Sequence, residues 1–496
     1  MESVREGAQV RKVLVGYLGR VLDAERGIYK SRERGVFTFD LNTGTYGEVP
    51  ADFVPDVRRK NAREELLLDY GDAFLFDALI AKYGLSEVLE AVTYGNPDSF
   101  KALLLYYMLE RRSNAHAEVW WEGSYARILY PRANLTTQRI SAMLESIGRE
   151  NCMRAFFNAY LGWLGATVTD NANILIDSTG LPNSIRFPPT AVSNHNGEIS
   201  EEVRLIYVVQ QGTRFPIYMR YVPGNIVDTS TLSTTIKELK AMGVNTMFAI
   251  LDAGYVSEEG LCHLYSEGVS FITRCPTNRS IYRELMETEL DDLEDSGHLA
   301  MDSKEKLFNG RMVYVKCVEK VYKGMKLYAY VGRDKAMQEI ERKGLVSRNA
   351  DGRVDRDDLH RQMREHEVFV LLATRRIKPE HVLSHYYVRQ DVEQVFDISK
   401  NYASLLPLHV EKEETFRGHL LMTFLATVVM QKLQNELKAT EFSLDRMLAR
   451  MRTQKAKVFE SVVIPSDPVK EQSRIYKLLQ VKPVKEHLRK DAAKMY

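Results

Sequence analysis

Two carboxylates in this chain follow short apolar runs: Asp177 closes Ile174-Leu175-Ile176-Asp177, and Asp252 closes Met247-Phe248-Ala249-Ile250-Leu251-Asp252. Such runs read as buried strands. A carboxylate at a strand end sits on a rigid backbone at the edge of an α/β sheet, where ligand sites collect. Taken singly, each acid has a plain structural role open to it: Asp252-Ala253-Gly254 can be a turn, and Asp177-Ser178-Thr179 a helix cap. As a pair on neighbouring strands they offer the hard oxygen ligands that magnesium or manganese requires.

A third acid comes from the segment His385 to Lys400. At about 100° per residue, Tyr386, Arg389, Glu393 and Lys400 fall within an arc of about 60°, so one helix face is expected to carry all four. A salt-bridged surface helix would show the same charges. Val392, Val395, Phe396 and Ile398 interleave with them, however, which makes the helix closely packed and favours a face turned to a cleft holding metal and phosphate. Asp391 and Asp397 lie in the same segment.

The elements that position these residues follow from the pattern. Gly35-Val36-Phe37-Thr38-Phe39-Asp40, running toward Asn42-Thr43-Gly44, predicts a hairpin within an N-terminal segment, 1–60, of no assignable role. Residues 61–166 read as helical. Within them Asn134 to Ser141 starts a helix with Arg139 near its first turn; this suits entry into a DNA groove and equally suits ordinary packing. From Asn173 short apolar runs alternate with helical stretches: Leu205 to Val209, Pro216 to Met219, a helix from Thr231 to Met242, and a strand Ser270 to Thr273. A β-rich piece at 276–364 holds Met312 to Val318 and Lys326 to Val331. A further strand, Glu367 to Thr374, precedes a mostly helical remainder.

Composition narrows the class. With 496 residues, 45% hydrophobic and 27% charged, the chain can bury a large core in more than one domain. The apolar stretch Leu420 to Met430 is shorter than the roughly 18 residues of a membrane span and reads as a buried helix. Met1 to Gln9 is polar and mixed in charge, so no export signal is expected from it. Cys152, Cys262, Cys275 and Cys317 are widely spaced, so reduced thiols are expected rather than disulfides or a zinc site. The net charge of +1 says nothing about partners. Between Val469 and Tyr496, however, eight Lys or Arg face three acids, a distribution that suits a phosphate backbone or simply a solvated helix.

Tyr386-x2-Arg389-x3-Glu393-x6-Lys400 resembles the Y-x2-R-x3-E-x6-K signature of a large group of bacterial insertion-sequence transposases of the DDE type. Asp177 and Asp252 stand where that group has its other two catalytic acids. Pro223-Gly224-Asn225-Ile226-Val227-Asp228-Thr229-Ser230-Thr231, Ile250 to Tyr255 and Phe416-Arg417-Gly418-His419-Leu420 are similar to the corresponding stretches of the group. The likeness runs from about Ile174 to Lys432. Two departures stand out. Ala253 replaces a residue that is polar or basic in many relatives, and Pro276 to Arg364 has no tryptophan to stack on a flipped base. Tyr314, Tyr322, Tyr328 or Tyr330 would have to serve instead.

The resemblance implies an α/β fold: a ribonuclease-H-like core (167–275 and 365–432, the latter with the Glu393 helix) interrupted by the β-rich insertion 276–364. It also implies a helical DNA-binding region at 61–166 and a helical, basic C-terminal region at 433–496. It implies Asp177, Asp252 and Glu393 as catalytic, metal-binding acids for Mg2+, with Mn2+ as a substitute, and Asp177 as the ligand shared by two ions. Tyr386, Arg389 and Lys400 are implied to contact the DNA backbone. Hydrolysis at the element end and joining of the 3′-OH to target DNA are then one in-line displacement with two nucleophiles. The implied partners are transposon ends and target DNA, bound by a homodimer in a synaptic complex, with no membrane; the implied location is the bacterial cytoplasm, on the nucleoid when DNA-bound. His195 and His419 are expected to be packed rather than catalytic. Two other readings share the same acids: a nuclease of this fold without strand transfer, and a catalytically silent DNA-binding descendant.

Overall fold

The computed structural model describes residues 2–6, 9–13, 17–24, 26–31, 34–50, 66–92, 95–167, 172–182, 189–195, 198–226, 228–244, 246–300, 307–339, 343, 368–406, 410–459, 462–485 and 487–488. Two compact units form. The smaller comprises 1–67, 457–464 and 486–496; the larger comprises 68–456 and 465–485.

In the smaller unit, Ile28–Ser31 pairs antiparallel with Gly35–Phe39, which pairs with Tyr46–Gly47. The expected hairpin forms because Asn42 N–H donates to Asp40 Oδ1 at 2.8 Å and Gly44, at φ 68°, takes the left-handed position that closes the turn. Ile28, Tyr29 and Phe37 are its buried side chains.

The larger unit is built on a nine-stranded mixed sheet. Its strands are β1 (Ala172–Pro182), β2 (Ala191–His195), β3 (Glu198–Gln210), β4 (Pro216–Pro223), β5 (Thr246–Leu251), β6 (Ser270–Arg274), β7 (Val313–Tyr322), β8 (Met325–Asp334) and β9 (Val368–Ala373). Across the sheet the order is β4-β3-β1-β5-β6-β9-β8-β7, with β2 paired to β3. β1, β5 and β6 are parallel, and the other pairs are antiparallel. Ile174, Leu175 and Ile176 are fully buried because β1 lies inside the sheet with helices over it, the environment that selects an unbroken apolar run.

The end of β1 differs from expectation. β1 does not end at Asp177: Ser178 to Pro182 continue the ladder against Ile206 to Glu202 of β3, while β5 stops at Leu251. The strands of the β-rich piece join this same sheet. β7 and β8 turn at Lys323-Gly324, where φ values of 51° and 80° suit a tight hairpin. β8 then pairs with β9, which pairs with β6. Ala329 and Val331 thereby share one apolar layer with Val368, Val370 and Leu372 beneath Ile281 and Leu285, so joining the sheet buries a face that a lone hairpin would expose. Residues 340–342 and 344–367, including much of the anticipated charged tail, lie outside the described residues.

The helices that bear on the site are α1 (Thr137–Ile147), α2 (Glu150–Thr167), α3 (Pro379–Tyr387), α4 (Gln390–Tyr402) and α5 (Glu413–Leu437). α5 is the buried helix expected from Leu420 to Met430, and Phe424 packs edge-on against Phe156 and Tyr160 of α2. At Gly418 a Cβ would overlap the Leu144 carbonyl, so glycine lets α5 cross α1 closely. The C-terminal region is not purely helical. Leu444–Arg452 and Lys470–Leu478 are helices, but Lys455–Val458, Val462–Pro465 and His487–Leu488 are strands, as the β-branched run Val462-Val463-Ile464 favours.

Candidate active site

Sheet register brings the first two acids together. Ile176 on β1 is paired with Leu251 on β5, so the next residues, Asp177 and Asp252, are neighbours. Asp177 is mid-strand and its carboxylate is 14% exposed; Asp252 follows the end of β5 and is 39% exposed. Asp177 Oδ1 also accepts the Ser178 N–H at 2.8 Å.

The third acid arrives on α4, whose inner face is apolar. Val392, Val395, Phe396 and Ile398 are buried, the Phe396 ring stacks on Tyr207 of β3 at 5.2 Å, and Ser399 bonds Thr427 of α5 at 2.9 Å. This packing turns Glu393 outward, 56% exposed. The four residues of the stripe do not share one continuous helix, as their angular spacing suggested. α3 ends at Tyr387 and α4 begins at Gln390. Between them Arg389 N–H reaches Tyr386 O and Val392 N–H reaches Arg389 O, both at 3.0 Å, a tighter i to i+3 turn that keeps Tyr386, Arg389 and Glu393 on one side.

Arg389 stands among the acids. Its Nη1 lies 3.3 Å from Asp177 Oδ2 and 3.5 Å from Asp252 Oδ2, and its Nη2 lies 3.6 Å from Glu393 Oε1. Burial pulls the guanidinium pKa down, but Asp252, Tyr386, Asp177 and Glu393 together outweigh it and raise the pKa. Tyr386 is 7% exposed; burial first, and Asp252 second, push its phenol pKa up, so it is a hydrogen-bond donor at neutral pH. Lys400 Nζ donates to Thr179 Oγ1 at 2.7 Å, and burial lowers its pKa despite Asp397 and Glu202. Thr179 and Asp177 share one face of β1, being two residues apart.

The donor set fits a hard divalent cation, since all three groups are carboxylates and, among the described residues, no thiol or imidazole joins them. As the side chains stand, no three His, Cys, Asp or Glu among the described residues are grouped closely enough to hold an ion. The Arg389 guanidinium lies between the three carboxylates instead.

Other candidates fall elsewhere. His419 is fully enclosed: Tyr107 O–H donates to Nδ1 at 2.7 Å, and Nε2–H donates to Leu405 O at 3.2 Å. Burial depresses its pKa to about 4. The His195 side chain lies outside the described residues. Asp391 pairs with Arg214 and Asp397 is exposed. In α1, Ile140, Met143 and Leu144 pack inward while Thr137, Gln138 and Arg139 are exposed. Of the four tyrosines considered for base stacking, Tyr330 is fully buried with its hydroxyl bound to Ile377 N and O, and Tyr314 and Tyr322 pack on the apolar layer. Tyr328 is part-exposed, beside Lys326. In the basic C-terminal segment Arg474 pairs with Glu441, and Arg489, Lys490 and Lys494 lie outside the described residues. Arg214, on the turn between β3 and β4, touches α4 at both Asp391 and Gln394; nothing in its local sequence marks it.

The four cysteines are free, and no described helix is long and apolar enough to cross a membrane. Over 117 residues, 24% of this chain, the sequence is 31% identical to a UDP-N-acetylglucosamine–N-acetylmuramyl-(pentapeptide) pyrophosphoryl-undecaprenol N-acetylglucosamine transferase of Herminiimonas arsenicoxydans. The match spans only 28% of that relative's length. Among solved structures, a piggyBac transposase in a synaptic complex with hairpin DNA aligns at a TM-score of 0.44 and 10% identity, covering 84% of this chain and 86% of that one. The family model described as transposase DDE domain matches residues 173–429, more than half of the chain and the whole span that carries the three acids. This chain belongs to the transposase DDE domain family.

Proposed function

We propose that this chain binds the terminal inverted repeats of an insertion sequence, cleaves at the element ends and joins the 3′-OH to target DNA. Asp177, Asp252 and Glu393 hold Mg2+, or Mn2+ in its place. The observation that carries this reading is the single guanidinium 3.3–3.6 Å from an oxygen of each of the three acids, which draws residues 177, 252 and 393 to one centre of positive charge. An antiparallel set, β4-β3-β1, extended by parallel β5 and β6, supports a ribonuclease-H-like core.

Divalent cations bound there supply Lewis-acid polarisation of the scissile phosphate and activation of the nucleophile. The protein's own part is positioning. Asp177, hydrogen-bonded and set in mid-strand, is the most rigid of the three acids that would hold the ions. Asp252 approaches from the neighbouring strand end, and Glu393 closes the set from the helix. Arg389 and Lys400 hold the DNA backbone by charge-assisted bonds, and Tyr386 donates its phenolic hydrogen to a phosphate oxygen. Sequence reading falls to the helical region 61–166, where the exposed Thr137, Gln138 and Arg139 open α1, with the basic segment in 433–496 as a second contact. Two copies hold the two ends in one synaptic complex.

Cleavage of a labelled duplex carrying the element's ends tests this. Nicking at the end with Mg2+, lost with EDTA and in Glu393→Gln, is the expected result, followed by strand transfer into a supercoiled target. Nicking without transfer would indicate a nuclease. End binding with no nicking in Mg2+ or Mn2+ would overturn the catalytic reading in favour of the silent descendant.

A further inference from the structure

The first turn of α4 has no side-chain cap of its own, although it carries Glu393 and follows directly on the break at Arg389. Its anchor comes from another element. Arg214 Nη2 lies 2.7 Å from Asp391 Oδ1, and Nη1 donates to Gln394 Oε1 at 2.6 Å. Asp391 and Gln394 are three residues apart, on one helix face, and bracket Glu393 in sequence. Arg214 and Asp391 are each only 16% exposed, so this pair is shielded more than a surface ion pair.

The turn holding Arg214 is itself fixed and strained. Arg214 has φ 61°, a left-handed conformation that a side chain adopts at a cost of about 1 kcal/mol or more. Its N–H bonds Gln210 O at 3.0 Å, and Asn435 of α5 donates to Thr213 O at 2.7 Å. Glycine would relieve the backbone strain, yet it could not span to α4.

We propose that Arg214 is a positioning residue: its two-pronged contact with Asp391 and Gln394 holds the start of α4 so that Glu393 stays turned toward the Arg389 guanidinium that Asp177 and Asp252 also face. This rests on the reading of Glu393 as a metal-binding acid.

Arg214→Gly separates the clamp from the turn, because it removes the guanidinium while easing the left-handed residue. In the full-length chain the expected result is a melting temperature equal to or above wild type and unchanged binding of element ends. The Mn2+ needed for half-maximal cleavage, and the Mn2+ dissociation constant of the DNA-free protein, should both rise about tenfold, as loss of support behind a metal ligand does. Arg214→Lys should recover part of this shift. Asp391→Ala combined with Gln394→Ala removes the same contact from the helix side with the turn intact, and should reproduce it. Wild-type metal dependence in both Arg214→Gly and the helix-side double variant, with Glu393→Gln inactive, would overturn the clamp alone. Wild-type cleavage by Glu393→Gln would overturn the reading of Glu393 and the clamp with it.

Discussion

Arg389 and His419 are both basic side chains set among polar partners in the larger unit, and they end in opposite charge states: a guanidinium is cationic at any pH the fold meets, whereas the surroundings of His419 decide its charge. Arg389 faces three carboxylates and stays cationic against the pull of burial. His419 faces a phenol and a carbonyl, finds no carboxylate among the described residues to offset burial, and is held neutral with its pKa lowered to about 4. A buried imidazole keeps a proton near neutral pH only where opposite charge repays the lost hydration, whereas a guanidinium keeps its charge and gathers acids around it. The first arrangement keeps acids gathered at the sheet; the second cross-links a helix, a loop and α5 without charge.

The largest effect should come from the acid side. Asp177→Asn removes the innermost carboxylate while preserving shape, and is expected to reduce end cleavage by about a thousandfold or more, since such a loss acts on the reacting centre rather than on binding. The melting temperature should be unchanged or higher, because one guanidinium faces three like charges. Cleavage within about tenfold of wild type would break the contrast by showing that the gathered acids are a structural ion cluster.

The next effect concerns His419. Its folded-state pKa of about 4 lies below the 6.5 of a free imidazole, so the unfolded chain takes up a proton first as pH falls. The stability it contributes is present above about pH 6.5 and is lost as pH drops toward 4, by about 3 kcal/mol at about 1.4 kcal/mol per unit. Urea melts of wild type and His419→Gln across this window measure it; the variant's stability should fall less with pH. Parallel curves would mean that the imidazole is protonated in the fold.

Much of this was legible locally. Apolar runs marked β1, β3, β5 and β6, Leu420 to Met430 marked α5, and the alternation of buried and charged positions around Val392, Val395, Phe396 and Ile398 marked a packed helix with Glu393 outward. What local pattern could not carry was pairing at a distance. Asp177 appeared to end a strand because apolarity stops there, whereas β3 continues the ladder past it with mixed side chains. Local pattern says nothing of where the β7–β8 hairpin joins the sheet, because its partner, β9, lies beyond residue 367 in sequence. The kink at Val388-Arg389 has neither proline nor glycine to announce it. Arg214 meets Asp391 across 177 positions, counted as 391 − 214, and a turn residue with no cap or motif around it gives no notice of so remote a contact.

The smallest predicted effect sharpens the neutral side of the comparison. Tyr107 O–H donates to His419 Nδ1 and its oxygen accepts from Asn114 Nδ2 at 3.3 Å, so the phenol serves two partners in the buried cluster. Tyr107→Phe leaves both without that oxygen, and about 1–2 kcal/mol of stability at pH 7 should be lost. A bond donated to an imidazole nitrogen stabilises only the neutral ring, so its removal should also let the His419 pKa rise. The stability loss of the variant relative to wild type should therefore narrow between pH 6.5 and pH 4, measured in the same urea melts. A loss that stays constant across that window would show that burial alone, and not the Tyr107 bond, keeps the ring uncharged.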